Sequence, residues 1–373
     1  MHSISGKRIL FLNWKDVLNP ESGGAEVLTD ALASHLAETN EVFFITSSFP
    51  NAKQKQVHNN YTILRKGTTL TCILYAFFTY KKLSTEKKFD LIIDQAHGIP
   101  FFSILYPHRP KILILIHEVA GELWSSVLPH TIGKIVDTIW LRLYKNQQFI
   151  TVSNSTKQEL TKHHIIEKNI SIVPNFTAIS LPEIPQKAEH PTLLVLGRIA
   201  PVKRIEHAIR AFQIVKETVP NIHLVIIGKR EKKYDSYYQD INTSIQNDNK
   251  ITIITNADEE EKLHWLKESH ILLMPSKKEG YGIAILEAAA CGTPAIGYNV
   301  PGTRDAIIDN KTGLIADQEN PKSLAACIEK ILTNLGTFNQ LQKEGFTNAR
   351  QKQKRHTIST WDAILKQIIQ ITP

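Results

Sequence analysis

Short, β-branched apolar runs alternate with segments of helical period along nearly the whole chain, and no other feature constrains the fold as strongly. RILFLNW (8–14), EVFFITSS (41–48), DLIIDQ (90–95), KILILIHE (111–118) and FITVS (149–153) read as strands in the first half. TLLVLGR (192–198), HLVIIGK (223–229), ITIIT (251–255), HILLMPS (270–276) and PAIGY (294–298) do so in the second. Between them GAEVLTDALASHLAET, RIEHAIRAFQIVKETV, EEEKLHWLKES and SLAACIEKILTNL carry apolar residues at helical spacing. Strands alternating with helices imply βαβ units and parallel sheets. The runs are apolar at successive positions, as strands covered by helices on both faces must be.

The alternation breaks once, at NFTAISLPEIPQKAEHPT (175–192), which holds Pro182, Pro185 and Pro191 and no clear period. This stretch reads as a linker. The expected organisation is therefore α/β, with two Rossmann-like lobes at residues 1–180 and 181–356 and parallel sheets facing an interdomain cleft. The amphipathic segment TWDAILKQIIQ places a last helix in 357–373 that crosses back to the first lobe. In open α/β sheets ligands bind outside the carboxyl ends of the strands, so the cleft is the expected site.

Bulk properties narrow the function classes. The chain has 373 residues, long enough for two domains. Cys72, Cys291 and Cys327 show neither CxxC nor disulfide-like spacing, which suits a reducing cytoplasm. The opening MHSISGKRILFLNW lacks the form of a signal peptide, and no window is long and apolar enough to span a bilayer. The net charge of +8 favours anionic partners, whether nucleic acid, phosphates or an acidic membrane surface. Zinc-finger spacing, RNA-recognition aromatics and Arg-rich tracts are missing, so nucleic acid is not expected. TTLTCILYAFFTYKKLSTEKK (68–88) ends its apolar helical body in Lys81, Lys82, Lys87 and Lys88. Such a helix suits peripheral contact with an anionic bilayer; the preferred alternative is a buried lobe helix with a solvated basic end.

Chemistry concentrates in MPSKKEGYGIAILEAAACGTPAIG, which starts at Met274 and reads as strand, Gly-punctuated turn and helix. Unpaired amides at such a helix start, at the positive end of its dipole, form a natural diphosphate site. Glu279 falls in the turn and Glu287 inside the helix, and carboxylates accept well from paired hydroxyls of a ribose or hexose. The structural alternative has Glu279 capping the turn and Glu287 paired with a lysine. In LGRIAPVKRIEHAIRAF, Arg198 and Lys203 flank a proline turn that enters another helix, where two cations can neutralise a diphosphate. Neither GxxxxGK[ST] nor GxGxxG occurs, which excludes a Walker loop and disfavours a nicotinamide-dependent oxidoreductase. In the first lobe Gly23 and Gly24 open a helix whose amides are also expected at the cleft. His117 and Glu118 end one strand, and Asp94 and His97 end its neighbour. His117 is either a sugar-binding group or a satisfied core histidine; Asp94, His97 and Glu118 are acceptor-side candidates.

With these residues assembled, the sequence resembles the retaining GT-B glycosyltransferases of family four. SGGAE, LIHEV, TVSNSTKQEL, IVPN, LGRIAPVKR, VIIG, MPSKKEGYGIAILEAAACGTPAIG and GLIAD follow that family's order over nearly the whole chain. The resemblance implies transfer of a hexose from a UDP- or GDP-linked sugar to a glycan or lipid-linked acceptor, with retention and without a metal or other cofactor. It implies catalytic places for His117, Arg198, Lys203 and Glu279. The donor-binding set it implies is Gly23, Gly24, Gly197, Arg198, Lys203, Gly228, Lys229, Ser276, Glu279, Gly280, Tyr281, Gly282, Ile283 and Glu287, with Glu287 on the ribose. Tyr281 and Ala284 depart from the Phe or Trp and the bulkier aliphatic residue of many members, which bears on donor preference. A GT-B-shaped epimerase or phosphorylase and a non-catalytic nucleotide-sugar-binding protein are the competing readings. The first needs acid–base groups or a cofactor lysine that the sequence does not display. The second would be expected to lack one of Arg198, Lys203, Glu279 or Glu287.

Overall fold

The computed structural model describes residues 4–108, 110–121 and 130–370. The chain forms two compact units, one built from Met1–Asn175 and Lys354–Pro373, the other from Phe176–Gln353. In the first unit the elements run β1 (Arg8–Leu12), α1 (Gly24–Ala37), β2 (Glu41–Thr46), β3 (Lys55–His58), β4 (Tyr61–Arg65), α2 (Cys72–Glu86), β5 (Leu91–Ala96), β6 (Lys111–Ile116), α3 (His130–Leu143), β7 (Gln148–Thr151), α4 (Asn154–Lys162) and β8 (Ile170–Ile172). In the second they run β9 (Thr192–Leu196), α5 (Ile205–Lys216), β10 (His223–Gly228), α6 (Asp235–Ile245), β11 (Ile251–Thr255), α7 (Glu259–Glu268), β12 (Ile271–Met274), α8 (Ile283–Ala290), β13 (Ala295–Tyr298), α9 (Thr303–Ala306), β14 (Gly313–Ala316), α10 (Pro321–Leu332) and α11 (Leu335–Gln351). The last helix, α12 (Lys354–Gln370), belongs to the first unit. There Asp362 pairs with His35 of α1 at 3.0 Å and Thr357 donates to the Pro174 carbonyl at 2.9 Å.

The first sheet has the order β3-β4-β2-β1-β5-β6-β7-β8 and the second β11-β10-β9-β12-β13-β14. The second sheet is wholly parallel. The first is parallel except at its edge, where β3 runs antiparallel to β4. That hairpin turns through Asn59 and Asn60, both at positive φ (45° and 68°), as a tight primed turn demands. Asn-Asn gives a weaker hairpin signal than Asn-Gly, and no strand is expected from VHNNYTILR by pattern alone. The interior strands are buried at every position of β1, β5, β9 and β12. In the second unit β9, β10 and α5 meet α10 in one large apolar core containing Leu193, Phe212, Ile226 and Ile328.

The loop after β1 that leads to Gly23 is fixed by a buried ion pair. Arg65 Nε and Nη2 donate to the two oxygens of Asp16 at 2.7 and 2.8 Å, and neither side chain is exposed. The same carboxylate accepts from the Leu18 amide at 3.0 Å, which shapes the turn. Removing one member of such a pair strands the other charge in the interior. Asp16→Ala is therefore expected to cost about 3–5 kcal/mol in urea unfolding. Lys15→Ala, which opens the exposed pair with Glu21, should cost less than about 1 kcal/mol. Equal losses in the two variants would show that burial is not what gives the Asp16 pair its weight.

Candidate functional site

The parallel order β10-β9-β12-β13 brings four loops to one edge of the second sheet. After β9, Gly197 and Arg198 lead into a single 3-10 turn, Pro201–Lys203, and Arg204 enters α5 in the left-handed conformation (φ 47°). After β12, the chain from Pro275 to Gly282 enters α8 with Gly282 at its N-cap (φ 83°). Backbone bonds tie these loops together. The Lys277 amide donates to the Val202 carbonyl at 2.8 Å and the Glu279 amide to Pro301 at 3.1 Å. The Gly197 amide donates to Ile227, and the Ile199 amide to Lys229, each at 3.0 Å.

Lys203 and Glu279 meet directly, with Nζ 2.6 Å from Oε1, and the two side chains are 15% and 11% exposed. Arg198 projects further, half exposed, with its guanidinium 3.6 Å from Glu231. Glu231 also receives Lys233 at 3.1 Å. A small cavity at these strand ends is lined by Gly197, Arg198, Lys203, Pro275 and Ser276. A wider surface concavity lies elsewhere, against Tyr238, Asn242, Asp248 and Asn249, and none of the motif residues lines it. Helix α8 starts at Ile283, directly after the Glu279 turn, and its Ile285 amide donates to the Gly282 carbonyl at 2.9 Å. Cations, a carboxylate and a helix start thus share one edge, an arrangement suited to a diphosphate carrying hydroxyl-rich groups.

Glu287 lies on α8 and accepts from Lys262 of α7 at 3.1 Å; Lys262 also pairs with Glu259 at 2.6 Å. This is the structural alternative for Glu287, although its side chain keeps 20% of its surface. Burial holds the Glu287 carboxyl above its ordinary range, with Lys262 opposing that shift. Burial alone would lower Lys262, but Glu287 and Glu259 together hold it above its usual value. The two shifts share a direction because the lysine faces two carboxylates and Glu287 one cation.

The structure adds detail at three donor-side positions. Ser276 lines the small cavity but is fully buried, and its hydroxyl donates to the Met274 sulfur at 3.4 Å. The Tyr281 ring is buried and its hydroxyl accepts from Lys352 at 2.6 Å, so only its backbone remains as a candidate for contact with a ligand. Burial raises the Tyr281 hydroxyl and lowers the Lys352 ammonium. Gly228 is glycine for packing: a Cβ there would strike the Gly197 carbonyl. Gly302, absent from the sequence reading, plays the same part for the Glu279 carbonyl and holds the carboxylate turn in place.

In the first unit, two of the candidates already have partners. The Gly23 amide donates to Glu26 Oε2 at 2.7 Å, so the start of α1 already carries a carboxylate that would repel an approaching phosphate. Asp94 is fully buried and accepts from Phe101 N (2.8 Å), Ser103 N (3.2 Å), Ser103 Oγ (2.6 Å) and Tyr144 Oη (3.2 Å). It is a strut for the 101–103 turn, and meeting an acceptor would cost several of those bonds. Burial pushes its carboxyl up, against the pull of these donors.

His117 fits the functional reading better. It is 7% exposed, its ring stacks on His97 with centroids 5.8 Å apart, and its Nε2 has no partner among the described residues. Burial, with His97 adding to it, pushes its pKa down to about 3, so it is neutral near pH 7. His97 reaches Gln95 at 2.8 Å and lies 3.7 Å from Glu26, while Glu118 is half-buried alongside. Asn13 Nδ2, Thr46 Oγ1 and Thr151 Oγ1, buried at the carboxyl ends of β1, β2 and β7, are likewise unpartnered among the described residues. Buried polar atoms of this kind are ordinarily met by water or a ligand. Glu26 and Gln95 were missed in the sequence; a Glu three residues after a Gly N-cap was the available signal for the first. Among the described residues no group of three His, Cys, Asp or Glu side chains is placed to hold a metal ion.

Comparison with known proteins agrees with this architecture. The model "Glycosyltransferase Family 4" matches residues 22–180, and "Glycosyl transferases group 1" matches 179–349. A D-inositol 3-phosphate glycosyltransferase of Arthrobacter sp. is 26% identical over 94% of this chain and 92% of its own. A poly(glycerol-phosphate) alpha-glucosyltransferase of Bacillus subtilis is 27% identical over 48% of this chain, but the match spans only 26% of that longer protein. Among solved structures, sucrose-phosphate synthase of Thermosynechococcus elongatus has the same fold at a TM-score of 0.82 and 17% identity, covering 98% of this chain and 100% of that one. Anabaena HepE, solved with UDP and glucose, gives 0.75 and 15%, over 96% and 99%. Matched by the two models from residue 22 to residue 349, and folded as these solved proteins are, the chain belongs to the GT-B glycosyltransferases of family four, group 1.

Proposed function

We propose that the protein transfers a hexose from a UDP- or GDP-linked sugar to a glycan or lipid-linked acceptor, with retention at the anomeric carbon and without a divalent metal. The observation that carries this reading is the assembly of Arg198, the Lys203–Glu279 pair and the start of α8 on one sheet edge. A complex of HepE with UDP-glucose supports the donor class, and the D-inositol 3-phosphate glycosyltransferase relative supports glycosyl transfer. The diphosphate lies against Arg198, Lys203 and the α8 amides, which stabilise the charge that builds on the leaving phosphate. Glu279, oriented by Lys203, takes hydroxyls of the sugar, and Glu287 takes those of the ribose. Cations and amides do what a metal would do elsewhere. As the sugar–phosphate bond breaks, the acceptor oxygen forms its bond on the same face and passes its proton to the departing phosphate oxygen. In the first unit, neutral His117 can offer a hydrogen bond to a hydroxyl group.

Thermal-shift measurements with UDP-, GDP- and ADP-sugars test the donor. A cognate nucleotide at 100 times its Kd should stabilise the protein by about 2.7 kcal/mol. No shift with any of them would defeat the proposal. Arg198→Ala and Lys203→Ala should each weaken nucleotide binding by roughly 1.5–3 kcal/mol, the weight of hydrogen bonds to charged groups, as read by calorimetry. Turnover should fall by about 100- to 1,000-fold in each. Activity should persist in EDTA, and the anomeric configuration of the product should match that of the donor by NMR.

His117 makes a separate prediction about pH. Its folded pKa of about 3 lies below the 6.5 of the free side chain, so the unfolded state binds the proton more readily. The stability it contributes is complete above pH 6.5 and is lost at about 1.4 kcal/mol per unit as pH falls below that. His117→Asn removes this slope. Between pH 7 and pH 5 the wild type should lose roughly 2 kcal/mol more than the variant in urea unfolding. Parallel losses would mean that the imidazole is not held neutral.

A further inference from the structure

Two helices of the first unit cover the same face of its sheet and carry apolar side chains on their outer sides as well. Helix α2 buries Cys72, Ala76 and Tyr80 against Leu10 and Ile92. Helix α3 buries Trp140, Leu141 and Tyr144 against Ile114 and Phe149. Ile112 packs against both clusters, and it pairs with Ile92, which pairs with Leu10. Leu10, Ile92, Ile112 and Ile114 therefore point to one face, and α2 and α3 both lie over it.

The outer layer is unusual for such a pair. On the α2 side Leu70, just before the helix, and Leu74 and Phe78 within it are 75%, 59% and 57% exposed. On α3 Ile132, Ile135, Ile139 and Leu143 form a second stripe, 44% to 64% exposed. Leu105, 66% exposed, comes from the 101–106 turn, which contributes Phe102 and Ile104 to one cluster and Tyr106 to the other and so runs between the helices. Large contiguous apolar patches on a protein surface ordinarily mark something that covers them. The charges that border these stripes are mainly basic: Lys81, Lys82, Lys87 and Lys88 with Glu86 at the end of α2, and Arg142 and Lys145 at the end of α3, all exposed.

We propose that this α2–α3 layer docks on an anionic lipid bilayer, with the two apolar stripes in the headgroup–acyl boundary and the bordering lysines and arginine on acidic headgroups. Charge selects this occupant. A second copy of the chain would set like-charged borders against each other, whereas an acidic lipid surface satisfies them. Among the described residues no helix is long and apolar enough to cross a membrane, so the contact lies in the interface plane. The inference does not depend on the donor chemistry proposed above, and it can fail while that reading stands.

Co-sedimentation of the full chain with vesicles tests it. The protein should bind vesicles containing about 30 mol% phosphatidylglycerol, bind phosphatidylcholine vesicles at least roughly tenfold less, and be released by high salt. Ile135→Glu with Ile139→Glu, and separately Lys81→Glu with Lys82→Glu, should each lower binding by roughly tenfold or more. All four positions are exposed, so thermal midpoints should hold, and UDP- or GDP-sugar binding should be unchanged. Lack of binding to either vesicle, equal binding to both, or binding indifferent to the substitutions would each overturn the proposal. So would a dimer in light scattering that the α3 double variant dissolves, because the layer would then belong to a second copy.

Discussion

Lys203 and Glu279 are 76 residues apart in sequence and 2.6 Å apart in space. Much of the second unit is arranged so that they can be. Their strands, β9 and β12, are neighbours in a parallel sheet, so the loops that follow must leave from the same edge. The Lys277 amide, bonded to the Val202 carbonyl, sets the spacing of those loops, and the carbonyl of Pro301 holds Glu279 from the next strand. A pair with so little exposure gives each charge its partner's field, and losing either partner leaves the other costly to keep. The pair is also close to neutral as a unit. In the proposed reaction the attraction for a diphosphate therefore falls on what lies around the pair, the half-exposed Arg198 and the dipole of α8.

The first unit is built on the opposite electrostatic plan. Its carboxylates near the strand ends are largely committed: Asp16 to Arg65, Asp94 to the 101–103 turn and Tyr144, Glu26 to the Gly23 amide. What it leaves unpartnered among the described residues are neutral groups, His117 Nε2, Asn13 Nδ2, Thr46 Oγ1 and Thr151 Oγ1. Neutral donors and acceptors suit hydroxyl-rich molecules, and a histidine held neutral by burial does not change that character within the ordinary pH range. The two units thus present different chemistry, charge in one and uncharged hydrogen bonding in the other.

Much of this was legible in the sequence because it depends on local order. Strand–turn–helix patterns fix which residues end a parallel strand, and Arg198, Lys203, Glu279 and His117 all do so or follow within a short loop. What pairs with what was not legible. Nothing in EEEKLHWLKES says that Lys262 will reach Glu287 on another helix, and nothing near LGRIAPVKR says that Glu231 will meet Arg198. Such partners are set by the packing of distant segments. Ser276 and Tyr281 show the complementary limit. Their positions in the turn were read correctly, but the direction of each side chain follows from the backbone of that turn and from Met274 and Lys352 beneath it.

Helices α2 and α3 show why apolar pattern alone can mislead. A helix apolar on every side is ordinarily read as buried, because water would otherwise meet the second face. That logic favours a covered α2 with a solvated basic end, and one side of it does hold, in Cys72, Ala76 and Tyr80. A sheet face, however, can cover only one side of a helix lying on it. With both helices on the same face, the second stripe of each points away from the sheet, and its basic border grades from apolar to charged along the helix. The sequence carries both stripes. Only the placement of the two helices on one layer turns them from separate amphipathic patterns into a single surface.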